Sequence, residues 1–116
     1  FQLRRRDGSA LYAGGSLRRP GTAARNFATT EVRFEAGRRW TSAASNASYP
    51  VEWTIETPAG RHHVKTLLDD QELDSRASTG AIYWEGLSDL LDAAGVRIGR
   101  GYLEMTGYAA PLKLGA

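Results

Sequence analysis

The chain contains no cysteine, so neither disulfides nor a thiolate zinc site can hold it together, and it has no cysteine nucleophile. Its two histidines, His62 and His63, are adjacent. On a strand they point to opposite faces and cannot chelate one metal together. Long apolar runs are absent too: the longest stretches are a few residues, far short of the roughly 20 that a membrane-crossing helix needs. No phosphate loop, dinucleotide fingerprint, metalloprotease helix or nucleophile elbow is present, and nothing brings a serine, a histidine and an acid together as a triad. Metal and nucleotide cofactors are therefore not expected. The first residue is Phe1, already in strand-like sequence, so an upstream segment is expected and a leader peptide cannot be read.

What the sequence does have is a modest excess of base, 15 Lys and Arg against 13 Asp and Glu. The arginines cluster as Arg4-Arg5-Arg6, Arg18-Arg19 and Arg38-Arg39. Pairs flanking turns, among nearly as many acids, read as a solvated rim and not as a nucleic-acid surface. A length of 116 residues suits one domain, taken here as residues 1–116.

Turn signals recur at short intervals, among them Asp7-Gly8, Gly14-Gly15, Pro58-Ala59-Gly60, Thr79-Gly80 and Ala94-Gly95, with strand-length pieces between them. Val32, Phe34 and Ala36 alternate with Glu31, Arg33 and Glu35. Val51, Trp53 and Ile55 likewise alternate with Glu52, Thr54 and Glu56, and a hairpin at Pro58-Ala59-Gly60 leads into Arg61 to Leu68. Ala81 to Leu87 and Val96 to Gly107 read as two more strands. The fold expected is all-β, an antiparallel barrel or half-barrel with little helix. Any helix is placed either in the polar stretch Asp69 to Ser78, or in Leu87 to Ala94, where Leu87, Leu90, Leu91 and Ala94 have helical spacing.

Aromatic and acidic residues concentrate in a few places. Tyr83 and Glu85 share one strand face, with Trp84 on the other; Tyr102, Glu104 and Thr106 share a face opposite Leu103 and Met105. Each strand thus carries a Tyr-x-Glu unit. A carboxylate lodged among aromatics loses hydration and can serve as an acid near neutral pH. Taken alone, each glutamate is more simply read as an ion-pair partner of Arg97, Arg100 or another rim arginine, with the aromatics filling the core.

The ordered set Trp40-Thr41-Ser42, Tyr49-Pro50-x-x-Trp53, Asp70-Gln71-Glu72, Tyr83-Trp84-Glu85-Gly86 and Gly99-Arg100-Gly101-Tyr102-Leu103-Glu104-Met105-Thr106-Gly107-Tyr108 resembles the carboxy-terminal domain of the AttH-like, carotenoid 1,2-hydratase (hydroxyneurosporene synthase)-related lipocalin-like family. The resemblance implies a calycin-type β domain beside an upstream lipocalin-like domain of the same protein. It implies an apolar, isoprenoid or polyene-like small molecule as ligand, no cofactor, and a periplasmic or secreted location; some relatives are labelled predicted secreted hydrolases.

Two functions follow as expectations. One is a binding module in which Trp53, Tyr83, Trp84, Tyr102 and Tyr108 form the ligand wall. The other is a cofactor-independent hydratase, cyclase or isomerase with Glu85 or Glu104 as general acid, Glu85 being the nearest candidate; it is expected to point with Tyr83 into a partly enclosed aromatic pocket. A purely structural half, completed by its partner domain, is a third possibility.

Overall fold

The computed structural model describes residues 1–110. The described residues form twelve strands: β1 Gln2–Arg4, β2 Ala10–Ala13, β3 Gly15–Leu17, β4 Arg25–Phe27, β5 Arg33–Ala36, β6 Arg39–Thr41, β7 Ser48–Pro50, β8 Glu52–Thr57, β9 Gly60–Thr66, β10 Glu72–Ser75, β11 Ala81–Leu91 and β12 Arg97–Met105. All pairings are antiparallel. The main sheet contains β5, β8, β9, β10, β11 and β12, and three small ladders, β1–β2, β3–β4 and β6–β7, complete the curled half-barrel.

The alternation read from sequence sets the faces. Phe34, Ala36, Trp53, Ile55, Val64, Trp84, Leu103 and Met105 turn to one side, with Tyr49 and Val51, and form the core. Trp84, Tyr49 and Val51 are wholly inaccessible. Aromatic contacts run through it: Trp53 meets Phe34 edge-on at 6.2 Å, and Tyr49 lies between Trp40 at 6.1 Å and Tyr108 at 5.6 Å. Such contacts contribute about 0.5–1.5 kcal/mol each beyond their buried area.

The opposite, open face carries a row of alternating charge across four strands. Glu52 stands opposite Lys65, Lys65 opposite Asp89, and Asp89 opposite Arg100. Arg38 and Arg100 close the row with Nε contacts of 3.2 Å to Glu52 and Asp89.

Neither place proposed for a helix contains one; the single helical turn among the described residues is a 3-10 segment at Thr29–Glu31. Leu87 to Leu91 continue β11, with β9 on one side and β12 on the other. Residues four apart share a face in a strand as well as in a helix, so the Leu87–Leu91 spacing fits both periods. Only Leu90 discriminates, and it stands opposite Val64 of the core. Within the polar stretch Asp69 to Ser78 lies β10, which pairs with the start of β11.

On the side away from β12, strand β11 changes neighbours. Ala81 to Trp84 pair with β10, and Ser88 to Leu91 pair with β9. In the gap, the backbone carbonyl of Gln71 accepts from Glu85 N–H at 3.3 Å. The Gln71 side chain then acts as a short strand: Oε1 accepts from Leu87 N–H at 3.1 Å, and Nε2 donates to the carbonyls of Leu68 at 2.7 Å and Leu87 at 3.3 Å. This amide occupies the space beside buried Gly86, where a Cβ would come within 2.0 Å of Oε1. We expect Gly86→Ala to destabilise the fold by about 1–3 kcal/mol through loss of these bonds and overpacking. Adding Gln71→Ala should cost less than the sum of the two singles, checked by urea unfolding of the four-member cycle.

Candidate functional site

The β11–β12 register places the two Tyr-x-Glu units as neighbours. Glu85 stands directly opposite Glu104, and Leu87 opposite Tyr102; on the other flank Tyr83 stands opposite Leu73 of β10. Directly opposed side chains share a face, so Leu73, Tyr83, Glu85, Leu87, Tyr102 and Glu104 form one patch on the open side. Leu87 and Tyr102 are 51% and 61% exposed, and Glu85 is half-buried. Partial desolvation, then the charge of neighbouring Glu85, with smaller contributions from Glu104 and Tyr83, raise the pKa of the Tyr102 hydroxyl.

The ion-pair reading of these glutamates fails among the described residues. Arg97 and Arg100 both turn to Asp89, at 3.9 and 3.2 Å, which leaves Glu85 and Glu104 opposed as like charges without a basic partner. Among the described residues nothing encloses Glu85 as expected: the patch is an open face. A separate shallow recess of about 270 Å3 is lined by Gly37 and by residues of β8, β9 and β11, among them Glu52, Thr54, His63, Lys65 and Leu91. There Thr54 Oγ1 and His63 Nδ1 are 3.0 Å apart.

The five aromatics expected as a ligand wall divide between the two faces. Tyr83 and Tyr102 lie on the open face. Trp53 and Trp84 lie in the core, and Tyr108 packs against Tyr49 beneath it. Trp84 is held there by its Nε1–H, which donates to the Asp69 carbonyl at 2.6 Å. Period-two alternation alone separates Trp84 from Tyr83; it does not say which face a ligand would use.

One polar constellation escaped the sequence reading. Glu72, on the core side of β10, accepts hydrogen bonds from the hydroxyls of Ser42, Ser45 and Tyr49, each at 2.7 Å. The Ser42 hydroxyl also receives the N–H groups of Ala44 and Ser45, at 3.1 and 3.2 Å. The loop between β6 and β7, whose Asn46 takes a left-handed conformation with φ 61°, is thereby tied to β10. Burial pushes the Glu72 carboxyl up, but the hydroxyls of Ser45, Ser42 and Tyr49 together outweigh it, so the acid is stronger in the fold than its ordinary value of 4.5. Burial and the Glu72 charge raise the Tyr49 hydroxyl. Only the pairing of β6 with β7, unrecognised in sequence, reveals that Ser42, Ser45 and Tyr49 converge on one acid.

A second junction lies nearby. Asp69 receives both terminal nitrogens of Arg38 at 2.8 Å and the Thr66 hydroxyl at 3.0 Å. Among the described residues no three His, Asp or Glu side chains gather as metal ligands, and no helix is long and apolar enough to cross a membrane.

Because the folded-state pKa of Glu72 is depressed, its contribution is fully present above the unfolded value of about 4.5 and is lost as pH falls through the lower folded value. Glu72→Gln should therefore destabilise the protein near neutral pH by about 1–3 kcal/mol. The gap between wild type and variant in urea unfolding should close as the pH drops from about 5 towards about 3. A gap independent of pH would show that the ionised carboxylate is not what the hydroxyls hold.

Comparison with known proteins supplies what the geometry leaves open. The model of the AttH-like family matches residues 1–108. A crystal structure at 2.00 Å of a protein from Nitrosomonas europaea, described as an AttH candidate, superposes with a TM-score of 0.85 at 43% sequence identity. The match covers 92% of this chain and 33% of that one; the chain thus spans about a third of its solved relative. No curated protein matches it significantly. Agreement in sequence over nearly the whole chain, together with agreement in the path of the backbone, gives the assignment: this chain belongs to the AttH-like family.

Proposed function

We propose that this lipocalin-like domain binds an elongated apolar small molecule along the open face of β10, β11 and β12, and that it works as the carboxy-terminal part of a polypeptide with a second such domain. One observation supports this above the others. Two apolar cross-strand pairs, Leu73 with Tyr83 and Leu87 with Tyr102, stand on the solvent side of the sheet. Leu73, Leu87 and Tyr102 are all exposed. From Tyr83 to Leu87 the strand rises about 13 Å, a length that suits a chain-like ligand better than a compact one. Contiguous exposed apolar side chains of this kind mark binding surfaces. The buried tryptophans would serve such a site as its foundation.

The opposed pair Glu85 and Glu104 supports a second reading, in which the ligand is a polyene or isoprenoid substrate and Glu85 donates a proton to a double bond. General acid catalysis requires only an acid within reach of the reacting carbon, and this chain's own residues supply one beside the apolar strip.

The test uses the polyene fluorophore cis-parinaric acid as probe with the full-length polypeptide. We expect saturable fluorescence enhancement, weakened at least about tenfold by Leu87→Glu or Tyr102→Glu, since burying one such side chain is worth about 1.5–3 kcal/mol. Binding unchanged by both substitutions would overturn the placement. Glu85→Gln should leave probe binding within about threefold, a shift of under 1 kcal/mol. If an isoprenoid substrate is turned over, that variant should abolish turnover; turnover retained would remove Glu85 from the chemistry.

A further inference from the structure

β12 is an edge. Its nine residues pair only with β11, and among the described residues no backbone hydrogen bond reaches its outer side. Alternate residues of an antiparallel strand turn N–H and C=O away from their partner, so this side presents a long row of unpaired groups. Proteins ordinarily blunt such an edge with proline, a covering loop or a very short strand. β12 contains no proline, its one bulge lies at the Arg97 end, and no strand of the main sheet except β11 is longer.

We infer that a second copy of this chain covers the edge, with β12 pairing antiparallel to β12 about a two-fold axis at Tyr102. The sequence of the strand selects this register. With Tyr102 opposite Tyr102, Arg100 of each copy stands opposite Glu104 of the other, and Gly101 opposite Leu103. Moving the axis to Arg100 or to Glu104 opposes like charges. Moving it to Gly101 or Leu103 leaves Arg100 opposite a tyrosine or a threonine, and no ion pair forms.

Two features of the single chain become intelligible in this arrangement. Glu104 stands opposite Glu85 and pairs with no basic residue among the described residues, and the second copy brings Arg100 to it. Arg100 uses its Nε towards Asp89, which leaves its terminal nitrogens for Glu104 across the axis. Gly101 has open space where a Cβ would stand, so the strand of the second copy can approach without a side chain in its way. The axis is perpendicular to the sheet, so the open faces of both copies lie on one side and form a continuous surface. The inference does not depend on what ligand, if any, that surface holds.

The measurement is sedimentation equilibrium of the full-length polypeptide, with far-UV circular dichroism to confirm folding. Wild type should form a reversible dimer of twice the mass of one copy. Arg100→Glu and Glu104→Arg should each weaken it at least about tenfold, because two ion pairs become two like-charge contacts. Mixing these two variants restores opposite charges on both sides of the axis, so the mixture should give a heterodimer that neither forms alone. Hydrogen exchange on the wild type tests the same contact without substitution: the outward amides of β12 should slow as concentration rises. A monomer at every concentration, a dimer indifferent to both substitutions, or β12 amides protected in a monomer by another segment would each overturn the inference.

Discussion

The structure depends on how β11 is shared. Its outer flank has one partner throughout, but its inner flank is passed from β10 to β9 in mid-strand. At the exchange the Gln71 carbonyl still takes Glu85 N–H and Leu67 N–H still reaches the Leu87 carbonyl at 3.2 Å, but the N–H of Leu87 is met by the backbone of neither neighbour, and backbone groups left unpaired are costly. The side-chain amide of Gln71 supplies that acceptor and adds a second donor to the Leu87 carbonyl, and Gly86 leaves room for it. Trp84 lies one turn of the pleat earlier, with its indole N–H fixed to the Asp69 carbonyl just before the β10 segment. The sheet can curl because one long strand is a member of two local sheets at once.

Polar groups on the core side and at the rim of the sheet then hold what the curl brings together. Asp69 gathers Arg38, Thr66 and, through its carbonyl, Trp84; Glu72 gathers the loop before β7 and the Tyr49 hydroxyl. Each acid satisfies several donors from distant parts of the sequence. The open face is built differently, with charges alternating across most of it and an apolar, uncompensated region only where β10, β11 and β12 meet.

Much of the fold was legible in the sequence because its strands alternate strictly. Val32 to Ala36, Val51 to Thr57 and the Pro58-Ala59-Gly60 hairpin show one apolar and one charged side, and the structure uses them so, although Glu31 closes a 3-10 turn and Tyr49 belongs to the separate strand β7. The Tyr-x-Glu units were legible for the same reason; that Glu85 stands opposite Glu104 emerges only from the register of β11 with β12. Leu87 to Ala94 misled because a four-residue spacing satisfies helix and strand alike. The Ser42, Ser45, Tyr49 and Glu72 group stayed hidden because hydroxyls spread along a loop carry no periodic signal. Trp53, Trp84 and Tyr108 were placed on a ligand wall because aromatic residues mark both cores and binding sites, and composition alone does not divide them.

The charge row across β8, β9, β11 and β12 has a consequence for how the sheet finds its alignment. A slip of one residue turns every core side chain outward and is excluded by burial alone. A slip of two keeps the faces and is opposed far more weakly by packing. It would, however, set Lys65 against Leu87 or Leu91 instead of Asp89, and Arg100 against the same leucines, breaking the row at each strand it crosses. Glu52, Lys65, Asp89 and Arg100 thus act as teeth of a key that fits one lock position, and dissolved ions, by screening those teeth, blunt the key without changing its shape.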